Sequence, residues 1–175
     1  MVSTLIVSPP SGSTVDASKD MTVTLKTRNL VTGFFNDPAT QYYLVPQTLD
    51  PKTGFIQGHQ HVSIQSIGAG NAAPDAQTFA FFKGLNDAAP DGQTLSVVVP
   101  AGSLTINGQH RICTITGTDG HQPVIMPVAQ RGSQDDCIRV NVANAGKVAN
   151  IKGAQLNQAE TDANTKKVES KVAII

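Results

Sequence analysis

Three histidines carry the chemistry this sequence offers. His59 and His61 stand two apart in Gly58-His59-Gln60-His61-Val62-Ser63-Ile64-Gln65-Ser66-Ile67, and His121 follows Gly120 far downstream. The first run alternates with a period of two, the pattern of a half-buried strand. Val62 and Ile64 then face one way and His59, His61, Ser63 and Gln65 the other. Two imidazoles are thereby set roughly 6.5–7 Å apart at Cα, on a face that is not the core. Imidazoles at i and i+2 can aim at one ion, and His121 on a tight turn supplies a third ligand. Such ligation suits Zn²⁺ or Cu²⁺. Asp135 or Asp136 is expected to give an oxygen ligand or to fix an imidazole tautomer from outside the ligand set. The plainer alternative is that His59 and His61 face water on a sheet while His121 ends a turn. His110 reads as an ordinary strand-end residue.

Other chemistries fit less well. A Ser133/His121/Asp136 hydrolase lacks a nucleophile elbow, because Gly132-Ser133-Gln134-Asp135-Asp136 reads as a turn before a strand. A paired-carboxylate glycosidase is poorly supported: no Glu precedes residue 160, and Asp135 and Asp136 would point to opposite faces of a strand. Phe34, Phe35, Tyr42 and Tyr43 could stack on sugar, although such aromatics commonly serve as core or loop anchors.

The elements that must position the histidines are strands. Ser3-Thr4-Leu5-Ile6-Val7-Ser8 is stopped by Pro9-Pro10, and Met21-Thr22-Val23-Thr24-Leu25-Lys26-Thr27-Arg28 alternates cleanly. Gln41-Tyr42-Tyr43-Leu44-Val45 is a candidate strand, turned back by Asp50-Pro51-Lys52-Thr53-Gly54 against the histidine strand. Further strands follow at Phe79-Ala80-Phe81-Phe82, Thr94–Val99, His110–Thr116 and Cys137–Val142. Pro123–Gln130 holds two prolines and should be an edge or bulged segment. The expectation is an all-β fold, an antiparallel immunoglobulin-like β-sandwich of eight or nine short strands over residues 1–144. Residues 145–175 form a C-terminal arm: proline and aromatics stop and Glu begins. Asp162 and Lys166 have helical spacing, and the arm is expected to dock on its own body or on a neighbouring chain, giving self-association.

Cys113 and Cys137 each lie in a β-like run. Opposed on neighbouring strands they would close a disulfide around a loop of about 24 residues; the alternative is two buried thiols. Net charge is zero and only 15% of residues are charged, so no basic patch exists for nucleic acid. No apolar run approaches the ~20 residues of a membrane span, and no membrane partner is expected.

Several motifs resemble a family of small secreted proteins of filamentous fungi, mainly basidiomycetes. They are Asn29-Leu30-Val31-Thr32-Gly33-Phe34-Phe35-Asn36, Val45-Pro46-Gln47-Thr48-Leu49, Gly58-His59-Gln60-His61-Val62 and Phe79-Ala80-Phe81-Phe82-Lys83-Gly84-Leu85-Asn86. Gly120-His121-Gln122-Pro123-Val124 and Ala129-Gln130-Arg131-Gly132-Ser133-Gln134-Asp135-Asp136 continue the likeness, which covers about residues 3–142. Members often carry a ribosomal-protein label that nothing in these residues supports. The resemblance implies an extracellular place, in the cell wall or matrix, and no established reaction. Two functional expectations result. One is a non-catalytic binding or structural protein whose histidine face holds a metal, with cell-wall polysaccharide as a partner. The other is a metal-dependent extracellular enzyme with an open coordination position at the same three histidines.

Overall fold

The structure, a computed structural model, describes residues 1–147. Nine strands and one short helix follow in order: β1 Ser3–Ser8, β2 Thr14–Asp16, β3 Met21–Arg28, β4 Leu30–Thr32, α1 Pro38–Gln41, β5 Ile56–Ser66, β6 Phe81–Leu85, β7 Thr94–Val99, β8 Gly108–Thr118 and β9 Cys137–Ala143. They form two sheets, β1-β3-β7 and β2-β9-β8-β5-β4, with β6 also paired to β5. Pro9-Pro10 cannot continue a ladder, so the N-terminal segment breaks there and changes sheets. β1 pairs antiparallel with β3, and β2 runs parallel to β9. The short β4 is likewise parallel to β5. The fold is all-β and sandwich-like, the smaller sheet antiparallel throughout and the larger one mixed through its parallel pairs β2–β9 and β4–β5.

Alternation builds the interior. Ile6, Val23, Leu25, Leu95 and Val99 from the smaller sheet meet Val62, Ile64, Ile112, Ile138, Val140 and Val142 from the larger one. Each such aliphatic side chain removed from water contributes ~1.5–3 kcal/mol. Gln60 shares this inner face of β5 and is fully buried; its Nε2 donates to Thr4 Oγ1 at 2.9 Å and Thr116 Oγ1 at 2.8 Å. The Sγ atoms of Cys113 and Cys137 are bonded, joining β8 to β9 at a directly opposed pair.

Two local expectations give way. The tyrosine run is no strand: Asp37 caps α1 with its carboxylate on Ala39 N, Pro38 opens the helix, and Tyr43 leaves it at φ 60°. Pairing with the histidine strand falls instead to Leu49, bridged to Ile56 across the Asp50–Gly54 turn. His110 is no strand-end residue either, because β8 begins at Gly108 and carries its ring fully buried. The expected arm, beyond its first three residues, lies outside the described residues.

Candidate metal centre

β5 keeps the expected alternation through the histidines. His59 pairs with Gly117 and His61 with Ile115 on β8, and their ring centroids lie 4.6 Å apart. The face is not open to water at His59, which is fully buried. Glycine at 117 gives that ring its room: a Cβ there would press on His59 Cε1 and Nε2 at 3.3 Å. Phe35 covers the other side, its ring meeting His59 edge-on at 5.0 Å and His121 at 4.9 Å. Phe82 lies 5.2 Å from His61, and Tyr42 lies 6.0 Å from His121.

His121 reaches the pair from the turn after β8. Its φ of 70° is in the left-handed region, which costs a bulky residue roughly 1–2 kcal/mol. The loop holding α1 offsets that cost. Asn36 O accepts from His121 Nε2 at 2.7 Å, Gly120 O accepts from Tyr43 N at 2.9 Å, and Val45 O accepts from Gln122 Nε2 at 2.6 Å. The His121 ring thus lies 4.7 Å from His59 and 6.4 Å from His61.

Hydrogen bonding fixes which nitrogens carry the proton. His59 Nδ1 meets Phe34 O at 3.0 Å and His61 Nδ1 meets Ile115 O at 3.1 Å. A carbonyl oxygen only accepts, so each of these ring nitrogens, like His121 Nε2, carries the proton. The lone pairs of the neutral rings then reside on Nε2 of His59 and His61 and on Nδ1 of His121. A proton donated outward and a lone pair turned inward is the arrangement metal-binding imidazoles adopt. Among the described residues His59 Nε2 is buried without a hydrogen-bond partner. One nitrogen from each ring lies within 4.8 Å of the others, and among the described residues the group has three members. Tetrahedral Zn–N bonds of 2.0–2.1 Å set nitrogens roughly 3.3 Å apart, so the rings close by about 1 Å to hold an ion.

The electrostatics favour the ligating form. Burial, with the neighbouring His61 and His121, pushes His59 down to about 4, against the opposing effect of Phe34 O. Burial first, then His121, also lowers His61, while Ile115 O and Asp135 act in the other direction. Both rings therefore stay neutral at pH 7.

The acidic residues take other roles. Asp135 Oδ1 accepts from Thr116 N at 2.8 Å, Thr116 Oγ1 at 2.7 Å and Thr114 Oγ1 at 3.1 Å. Asp136 Oδ2 accepts from Ile6 N at 2.8 Å. Asp135 acts on His61 through its charge alone, and the hydrogen bonds of Asp135 and Asp136 fasten the loop before β9 to the body, so main-chain carbonyls rather than these carboxylates orient the rings. Sequence reading missed Gly117 and those carbonyls. The Asn36-Asp37-Pro38 helix start was the available signal for the Asn36 loop.

Comparison with known proteins comes from several directions. Two solved structures of a β-glucosidase from Listeria innocua, in complex with isofagomine and with glucose, overlay 85% of this chain on 17% and 16% of theirs. Their TM-scores are 0.41 and 0.39 at 11% and 12% identity, and nothing about activity follows from that likeness. A curated relative is the "Pathogenicity cluster 5 protein d" of the fungus Colletotrichum graminicola, 43% identical over 145 residues. The alignment covers 81% of this chain and 30% of that protein. With residues 4–143 matched by the model of the CLU5d N-terminal domain, the chain belongs to that fungal family.

Proposed function

We propose that this chain is a secreted binding or structural protein of the fungal cell wall or matrix that holds one Zn²⁺ or Cu²⁺ ion on His59, His61 and His121. One observation carries the reading. Three imidazoles, each with one nitrogen engaged by a main-chain carbonyl, bring one nitrogen apiece within 4.8 Å of the others. Burial supports it, because a His59 Nε2 away from water and without a partner among the described residues is costly until an ion engages it. The test is elemental analysis of purified protein beside His61→Ala. One equivalent of metal is expected in the parent and less than about a tenth of that in the variant. Equal content in both removes His61 as a ligand.

A second reading, a metal-dependent extracellular enzyme, is favoured by the ligand number. Three protein ligands leave a coordination position free for water or substrate. Azide added to copper-loaded protein distinguishes the two: a shifted visible spectrum marks an exchangeable position, and an unchanged one supports the binding or structural role. Self-association through residues 145–175 is a separable part of the proposal. Mass measured with and without residues 146–175 tests it, and an identical oligomeric state removes that role.

A further inference from the structure

A second site lies at the start of the chain, formed by other residues. An open cavity of about 320 Å³ is bounded by Val2, Arg28, Asn29, Met126, Arg131 and Ser133, among others. That volume is within the usual range for small-ligand pockets. Val2, only 2% exposed, and Met126 belong to a small apolar cluster that gives the cavity a greasy floor. Two arginines reach it from separate elements. Arg28 ends β3, where its main chain pairs with Ser3, and its exposed guanidinium makes no hydrogen bond or ion pair among the described residues. Arg131 comes from the loop before β9, and its guanidinium is braced by Val128 O at 3.1 Å, Ala129 O at 3.4 Å and Gln134 Oε1 at 3.5 Å. Those bonds use Nη1 and Nη2 and leave the Nε–H free to turn to a ligand.

Among the described residues no carboxylate lines the cavity. The acidic residues of the same loop face elsewhere, because Asp135 and Asp136 are bonded to β8 and β1. Two guanidiniums over an apolar floor, without a counter-charge among the described residues, match a ligand that is anionic at one end and apolar at the other. We infer that this cavity binds an organic carboxylate, the carboxylate between Arg28 and Arg131 and its apolar body on Val2 and Met126. Paired arginines recognise carboxylate with strong, directional hydrogen bonds. The inference does not depend on the histidine site.

Calorimetric titration of the intact chain with benzoate tests it, alongside benzyl alcohol and inorganic phosphate. Saturable benzoate binding is expected, at least about tenfold tighter than either comparison compound. Arg28→Gln and Arg131→Gln should each weaken it about tenfold or more, and Lys52→Gln, outside the cavity lining, should leave it unchanged. The Arg28 side chain bonds to nothing among the described residues, so its variant remains interpretable even if Arg131→Gln disturbs the loop. Absence of saturable binding, an unaltered Arg28→Gln, or equal loss in Lys52→Gln overturns the inference. Phosphate binding as well as benzoate overturns the role of the apolar floor.

Discussion

His59 and His110 are buried to the same degree, and each presents Nδ1 to a main-chain carbonyl, Phe34 O and Gly108 O respectively. Each leaves a buried Nε2 without a partner. What separates them is the side of the larger sheet they occupy. His110 pairs in register with Val140 of the interior and packs on the inner face, whereas His59 stands on the outer face beside two other imidazoles. The contrast shows that an unpaired buried nitrogen is not by itself a ligand. Convergence of several lone pairs makes a site, and a solitary one is a core side chain carrying an unmet hydrogen bond.

The largest effect that can break this contrast is on metal content. His59→Ala should reduce the bound metal from one equivalent to near zero, while His110→Ala keeps it and lowers stability on the order of 2–4 kcal/mol through its cavity. Elemental analysis and urea unfolding measure both, and metal loss in His110→Ala would refute the distinction. Next comes the Cys113–Cys137 bond, which ties the strand pair that carries His110. Replacing both cysteines by serine should remove about 3 kcal/mol of stability by the chain-entropy estimate while metal stoichiometry is retained.

Acid provides a third test. Unfolded His59 takes up a proton near pH 6.5 and the folded ring resists until about 4. Across that window the unfolded state binds more protons, so stability of the metal-free protein should fall as pH drops from 6.5 toward 4 and then level. His59→Phe should flatten much of that slope in urea titrations at stepped pH, and His110→Phe should not. The smallest effect is expected at Gly117. A methyl group there presses on His59 Cε1 and Nε2 at 3.3 Å and should weaken metal binding by on the order of 1 kcal/mol, about fivefold, without unfolding the chain. Competition with a chelator measures it.

How much of this was legible follows from the range of the interactions involved. Strand alternation is local, so the shared face of His59 and His61 could be read from ten residues. The turn at Gly120 announced an exposed His121 but not its partner, because Asn36 lies 85 positions away. Tyr42 and Tyr43 misled through β-propensity: aromatic neighbours suggest a strand, and the capping by Asp37 and Pro38 upstream overrode that preference. Gln60 was equally opaque. Its position on the inner face follows from periodicity, but Thr4 and Thr116, which make its burial tolerable, come from strands remote in the chain. The acidic pair at 135 and 136 was assigned by chemistry alone, and the unsatisfied amides and hydroxyls of β1 and β8 claimed it first.

The rings at 59, 61 and 121 are steered by oxygens of residues 34, 115 and 36 that belong to the peptide backbone itself. Every amino acid carries that oxygen. Sequence drift at those three places therefore leaves the acceptors intact so long as the main chain keeps its course, and homologues can differ there in side chain while conserving basicity and ring orientation. Mutational scans of the surroundings would accordingly register the steering contacts as silent positions.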